Sequence, residues 1–173
     1  MSARALSPGV FLRAEKMTFI VDKNADPNEL LRQAEALLAD CGDTVANAAN
    51  LASFLFHVLD DVNWVGFYFV DGDSLLVGPF QGKPACVRIP LGKGVCGTAA
   101  ETRTVQRVAD VHAFPGHIAC DAASRSEIVL PLVRKNTLIG VLDLDSPRAD
   151  RFNAADERFL KQIADIYLAS LED

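Results

Sequence analysis

No apolar run in this sequence approaches the roughly 20 residues of a membrane-spanning helix, because charge or glycine interrupts every run within about ten residues. We therefore exclude a bilayer span. Basic residues are not clustered either: 17 lysines and arginines are scattered among 23 acids, and the net charge is −6. Because a phosphate backbone binds clustered bases, we also exclude nucleic acid as a partner.

Cysteine is scarce, and no two cysteines form a C-x-x-C pair of the zinc-ribbon or thioredoxin kind. The four are Cys41, Cys86, Cys96 and Cys120. A zinc site from the last three with His112 or His117 lacks the usual paired spacing, so we predict no metal. Four cysteines are also too few for a disulfide scaffold, which predicts thiols in a reducing, cytoplasmic compartment. P-loop, G-x-S-x-G and H-E-x-x-H motifs are absent.

The composition predicts one domain. With 50% hydrophobic and 23% charged residues among 173, the chain can bury one core of ordinary size. We assign residues 26–173 to it and residues 1–25 to a partly ordered N-terminal arm. Three bases outnumber one acid in the first sixteen residues, but no apolar segment and cleavage site of a targeting peptide follow.

Helices are predicted at both ends of the domain. Asp26 can cap a helix that Pro27 opens, with its apolar face continuing to Leu38. Asp43 offers a second cap, and Asn153 caps a last helix with apolar residues at helical spacing.

The middle of the chain has the period of two that is typical of strands. We predict strands over Asn63–Val70, Ser74–Val77, Cys86–Ile89, Glu127–Val133 and Thr137–Leu144. A brief helix over Cys96–Glu101 interrupts them, and a long irregular stretch, Ala109–Arg125, is of a length that usually covers a site. Terminal helices around strands joined by hairpins predict an α+β domain, an antiparallel sheet with helices on one face.

Two aromatic residues mark one face of the first strand. Alternation places Trp64, Gly66 and Tyr68 on that face and the apolar residues between them in the core. A glycine between two rings predicts a notch walled by amphipathic aromatics. The alternative is that both rings simply cover a helix.

Three acids are predicted to converge. Asp143 and Asp145 share a strand face with Ile139 and Val141, and Glu127 opens the partner strand. Carboxylates on an apolar strand favour an ammonium ligand, or one acid that stays protonated as a donor. The alternative is that they lie at strand ends in water and cap turns.

Two thiols have surroundings that favour a lowered pKa. Cys96 opens a helix after two glycines, and Cys120 follows His117 by three residues. For either one, a buried inert thiol is the alternative.

Long stretches of the chain resemble the free methionine-(R)-sulfoxide reductases, a family of single GAF domains. They are GPFQGKPACVRIPLGKGVCGTAAET, DVHAFPGHIACDAASRSEIVLPLV and LIGVLDLDSP, and the match runs from about Val45 to Ser170. The resemblance implies a mainly antiparallel sheet of about six strands. It further implies that the N- and C-terminal helices pack on one face and that the ligand pocket lies under loops on the other.

The same resemblance implies a thiol mechanism. Cys120 is the attacking cysteine, Cys86 the principal resolving one, and Cys96 an auxiliary or alternative resolver. A thiolate attacks the sulfoxide sulfur while Glu127, with water held by Asp143, protonates the oxygen. The sulfenic acid then becomes a disulfide that thioredoxin or a similar dithiol reduces, so no metal or organic cofactor is expected.

Recognition of a free amino acid needs a partner for each charged end. Asp143 and Asp145 suit the ammonium of free methionine sulfoxide, and backbone N–H groups around Ile118 and Ala119 suit its carboxylate. Trp64 with Tyr68 would hold the S-methyl group. A peptide bond removes both charges, which excludes methionine inside a chain.

Two other functions are compatible with this fold. One is a non-catalytic GAF module that binds a small ligand, and the other is a redox sensor with a regulatory disulfide. The assignment of the R epimer as the substrate follows from the family resemblance. A homodimer through the terminal helices stays open, because their apolar faces are equally explained by packing on the sheet.

Overall fold

Six strands form one antiparallel sheet in the computed structural model, which describes residues 23–116 and 122–172. The strands are β1 (Trp64–Asp71), β2 (Ser74–Gly82), β3 (Arg88–Pro90), β4 (Gln106–Val108), β5 (Ser126–Arg134) and β6 (Thr137–Ser146). The helices are α1 (Pro27–Leu38), α2 (Thr44–Val58), α3 (Gly94–Thr102) and α4 (Ala154–Ser170). In the sheet the strands follow the order β3-β2-β1-β6-β5-β4. The predicted α+β architecture is confirmed.

The predicted caps start three of the helices. The Asp26 side chain accepts hydrogen bonds at the start of α1, and the Asp43 side chain accepts one at the start of α2. Asn153 and Asp156 form a reciprocal capping box on α4. These contacts satisfy backbone N–H groups that a helix leaves unpaired at its first turn. Among the described residues, no helix is long and apolar enough to cross a membrane.

Several predicted elements differ from the structure. Strand β2 runs on to Gly82, and β3 begins at Arg88, so Cys86 lies in the loop between them. Strand β4 was not predicted, because three residues are too few for alternation to register. Inside the stretch predicted as irregular, residues 111–113 form one turn of 3-10 helix, and residues 117–121 lie outside the described ranges.

The sheet separates two apolar clusters. Helices α1, α2 and α4 cover one face, where Val65 and Phe67 are fully buried. Helix α3 covers the other face, where Trp64 and Tyr68 pack with Val141. The alternation predicted for β1 is therefore confirmed.

A bulge changes the face of one predicted residue. Leu132 pairs with Gly140 and Val133 pairs with Leu138, so Ile139 is an extra residue on β6. Ile139 packs on the side of the terminal helices, whereas Leu138 packs on the side of α3. The prediction that Ile139 shares a face with the two aspartates is wrong, because one inserted residue reverses the alternation.

Candidate active site

A pocket lies between α3 and the sheet, with a cavity volume of about 40 Å³. The loop between β2 and β3 closes one side of it through Lys83, Pro84 and Ala85. Six residues that the sequence predicts for the site line this pocket: Trp64, Tyr68, Cys96, Glu127, Asp143 and Asp145. The structure therefore brings the predicted acids, rings and one predicted thiol to a single place.

The register of β5 and β6 brings the acids together. Glu127 lies directly opposite Asp145, and Asp143 is two residues further along the same face of β6. Glu127 is 6% exposed and Asp143 5% exposed. The alternative of acids lying in water at strand ends is therefore wrong for these two residues.

Burial decides the charge of the two buried acids. It raises the pKa of Glu127 well above its usual value, and the charges of Asp143 and Asp145 raise it further. Burial also raises the pKa of Asp143, to about 7, against the effect of hydrogen bonds from Cys96 and Glu127. Burial therefore favours the protonated form of Glu127, which can donate a proton, beside an Asp143 that is close to half ionised at neutral pH.

Cys96 lies against this pair. Its thiol donates to Oε1 of Glu127 across 3.7 Å, and the residue is 4% exposed. Burial raises the pKa of the Cys96 thiol, and the charges of Asp143 and Glu127 raise it further. The predicted lowering of its pKa is wrong, because desolvation and two carboxyls outweigh the N-terminal end of α3.

The described cysteines are in two oxidation states. Cys86 is disulfide-bonded, whereas Cys41 and Cys96 are free. Cys41 and Cys96 are thiols as predicted, whereas Cys86 is in the disulfide state that the sequence resemblance implies for a resolving cysteine. Four other predicted residues, His117, Ile118, Ala119 and Cys120, lie outside the described ranges.

The space above Gly66 is filled. The Trp64 ring stacks on Tyr68 at 5.8 Å between centroids and on Phe80 at 5.3 Å. A methyl group at Gly66 would overlap both the Trp64 ring and Cβ of Phe80. The notch predicted over Gly66 is therefore wrong, because the neighbouring indole folds across the small residue.

The polar ends of these two rings hold the loop that carries Cys86. The indole N–H of Trp64 donates to the carbonyl of Lys83 across 3.1 Å. The hydroxyl of Tyr68 donates to the carbonyl of Cys86, also across 3.1 Å. Sequence reasoning missed this role: alternation identifies the face of a ring but not the atom that its polar end reaches.

Comparison with known proteins agrees with this geometry. The model of the GAF domain family matches residues 28–172. The chain is 54% identical over 148 residues to the free methionine-R-sulfoxide reductase of Escherichia coli K12, covering 86% of each chain. This chain belongs to the free methionine-R-sulfoxide reductases.

Two other free methionine-R-sulfoxide reductases are also similar to this chain. The Saccharomyces cerevisiae reductase is 42% identical, over 79% of this chain and 80% of that one. The X-ray structure of the Neisseria meningitidis reductase, in complex with its substrate, is 46% identical with a TM-score of 0.81. It covers 87% of this chain and 91% of that chain. The resemblance found in the sequence motifs is confirmed.

This reductase also groups three atoms that can ligate a metal. Within the described ranges, one ligand atom each from Cys96, Glu127 and Asp143 lies within 4.8 Å of the other two. All three residues are buried. The arrangement can therefore donate a proton, accept an ammonium group or accept a cation.

Proposed function

We propose that this chain reduces free L-methionine (R)-S-oxide to L-methionine, with Cys120 as the attacking thiolate and Glu127 as the proton donor. One observation carries the proposal: Glu127 is an acid buried at the pocket and hydrogen-bonded to Asp143, and burial raises its pKa well above the usual value, which favours the protonated form. A sulfoxide oxygen becomes a leaving group only when it is protonated. An ordinary surface glutamate is a poor source of that proton, because its carboxyl group is ionised at neutral pH.

The first step transfers oxygen. The Cys120 sulfur forms a bond to the sulfoxide sulfur while Glu127 donates its proton to the oxygen. The S–O bond of the substrate breaks and the oxygen leaves as hydroxide. Hydroxide then attacks the Cys120 sulfur, the sulfur–sulfur bond breaks, methionine leaves, and Cys120 becomes a sulfenic acid. The cysteine is oxidised by two electrons and the substrate sulfur is reduced by two.

The second step forms a disulfide. The Cys86 sulfur attacks the sulfenic acid of Cys120, and the hydroxyl leaves as water. The disulfide state of Cys86, with Cys96 free, supports Cys86 as the principal resolving cysteine. The raised pKa of Cys96 supports the same assignment, because a thiol is a poor nucleophile.

The substrate is proposed to bind by both charged ends. Asp143 and Asp145 receive the ammonium group, and backbone N–H groups of Ile118 and Ala119 receive the carboxylate. Among the described residues, Oδ1 of Asp143 is buried with no hydrogen-bond partner, which supports a cationic ligand there. The rings of Trp64 and Tyr68 line the pocket, which supports their contact with the S-methyl group.

The remaining parts of the proposal concern partners. Thioredoxin or a similar dithiol reduces the Cys86 disulfide, no cofactor takes part, and the cycle runs in the reducing cytoplasm. A homodimer through the terminal helices stays a prediction. The free thiol of Cys41, in the loop between α1 and α2, has no part in the reaction.

The proposal is tested with thioredoxin, its reductase and NADPH, by adding each epimer of free methionine sulfoxide and a peptide-bound sulfoxide. We expect NADPH oxidation with the free R epimer alone. Cys120→Ser should abolish it, and the matched variant Cys41→Ser should leave it near the wild-type rate. Equal rates in the two variants would overturn the assignment. Ligand binding without NADPH oxidation would favour the non-catalytic GAF module instead.

A further inference from the structure

Cys96, Glu127 and Asp143 have the spacing of a zinc site. A tetrahedral zinc with Zn–S of about 2.3 Å and Zn–O of about 2.0–2.2 Å separates a thiolate sulfur and a carboxylate oxygen by about 3.6 Å. The Cys96 sulfur lies 3.7 Å from Oε1 of Glu127. A ligand atom of each of the three residues lies within 4.8 Å of the others. To close three ligands around one ion, no pair has to approach by more than about 1.4 Å, from 4.8 Å to the roughly 3.4 Å between two zinc-bound oxygens.

A second observation points to a cation at this place. Asp143 is 5% exposed, and its Oδ1 has no hydrogen-bond partner among the described residues. A buried carboxylate oxygen without a partner is unfavourable unless a cation or a donor reaches it. Among the described residues that line the pocket, Asp145 adds a third acid and Lys83 is the one base, so acids outnumber bases in this part of the lining.

We propose that Cys96, Glu127 and Asp143 bind a thiophilic divalent cation, with Zn²⁺ the preferred ion. The Cys96 thiol and the Glu127 carboxylic acid each release one proton, and the thiolate and both carboxylates become ligands. Water or Asp145 completes the tetrahedron. A thiolate among the ligands selects Zn²⁺ or Co²⁺ over Mg²⁺, which prefers six oxygens.

This site overlaps the ammonium site of the proposed function. The cation would lie on Asp143, so bound metal and free methionine exclude each other. That competition rests on the proposed function, whereas metal binding itself does not. The consequence is a reductase that zinc inhibits in competition with its substrate.

In the disulfide form, Cys86 has no thiol that could compete with Cys96 for an added metal ion. With Cys86 oxidised, Cys96 and Cys41 remain as free thiols of the described chain. Cys41 lines a separate groove between the ends of α1 and α4, so Cys41→Ser is a matched control.

The experiment titrates the full chain in its disulfide form with Co²⁺ and follows the absorption of the thiolate–cobalt bond in the near ultraviolet. We expect one Co²⁺ per chain, displaced by Zn²⁺ but not by Mg²⁺. Cys96→Ser should remove the thiolate band, and Asp143→Asn should weaken binding at least tenfold. Cys41→Ser should bind as the wild type does. Circular dichroism of each variant verifies that it is folded.

Three outcomes would overturn the metal site: no cobalt bound by the wild type, an unchanged band in Cys96→Ser, or loss of the band in Cys41→Ser. Free methionine is then added to the cobalt form, and we expect it to displace the ion. Cobalt that binds but resists methionine would overturn the shared position on Asp143. Failure of sulfoxide reduction in the turnover assay would overturn the proposed function and leave cobalt binding unaffected.

Discussion

The hydroxyl of Tyr68 donates a 3.1 Å hydrogen bond to the backbone carbonyl of Cys86. The ring of Tyr68 lines the pocket while its polar end holds the loop of the proposed resolving cysteine. One side chain therefore contacts both the candidate pocket and the segment proposed to resolve the sulfenic acid. This contact predicts that Tyr68 positions Cys86.

Tyr68→Phe removes the hydroxyl and keeps the ring. We expect the single-turnover burst of methionine to be unchanged and disulfide formation to slow by roughly two- to tenfold, the effect of one net hydrogen bond. Rapid-quench experiments measure both, with dimedone to trap the sulfenic acid. Tyr167→Phe is the matched control, because Tyr167 donates a bond of the same length to the Thr44 carbonyl on the helical side. Equal slowing in both variants would mean a general loss of stability.

Cys86→Ser and Cys96→Ser separate the two candidate resolvers. We expect Cys86→Ser to form one methionine per chain, to accumulate the sulfenic acid and to lose most thioredoxin-dependent turnover. Cys96→Ser should still form the disulfide, because the buried Cys96 remains a thiol in the present structure. Mass spectrometry of the quenched proteins distinguishes the products. Loss of the disulfide in Cys96→Ser but not in Cys86→Ser would reverse the two roles.

The raised pKa of Asp143 predicts a pH-dependent stability. Its pKa is about 7 in the folded chain and 3.8 ordinarily, so the folded state binds more protons between these values. The free energy of unfolding therefore falls as pH rises from about 4 to 7, by at most about 1.4 kcal/mol per pH unit from this group. Asp143→Asn should flatten that slope in urea unfolding measurements.

Glu127 contributes in the same direction, because its pKa is also raised, so some slope should remain in Asp143→Asn. The exposed acids with lowered pKa values are common to both proteins and cancel in the difference. A parallel pH dependence in the two proteins would mean that Asp143 titrates at an ordinary value. Loss of cooperative unfolding in the variant would mean that the acid is mainly structural.

Asn47 connects α2 to the two chain segments beside it. The residue is fully buried, and its amide donates to the Cys41 carbonyl and to Oγ of Ser170. Asn47→Ala leaves both acceptors without this donor and should lower the free energy of unfolding by about 1–3 kcal/mol. Asn50→Ala, at an exposed position of the same helix, should change it by less than about 0.5 kcal/mol. Thermal and urea unfolding compare them, and similar losses would contradict this role for Asn47.

The parts of the fold that local chemistry specifies could be predicted. A cap such as Asp26 needs only its own helix, and the alternation of β1 needs only its own strand. The turn between β5 and β6 is also local: Lys135 and Asn136 both have positive φ, which suits a two-residue hairpin turn. That turn pairs Arg134 with Thr137, and the bulge at Ile139 then shifts the register by one residue, so that Glu127 meets Asp145.

The remaining features depend on tertiary contacts. The bulge at Ile139 depends on how two strands pair, which neither strand indicates alone. The pKa of Cys96 is raised because α3 buries it against two acids from the sheet, and a helix start by itself suggests the opposite direction. The bonds from Trp64 and Tyr68 to the Cys86 loop join residues 18 or 19 positions apart.

The two sides of β1 can be altered independently. Substituting Val65 or Phe67 changes the packing of the terminal helices on the sheet, whereas substituting Trp64 or Tyr68 changes the shape of the pocket under α3. An engineer who wants the enzyme to accept bulkier sulfoxides can therefore vary Trp64 and Tyr68 and must keep Gly66, where a methyl group would overlap the Trp64 ring. Val65 and Phe67 stay unchanged in such a library, so the core beneath the terminal helices keeps its packing.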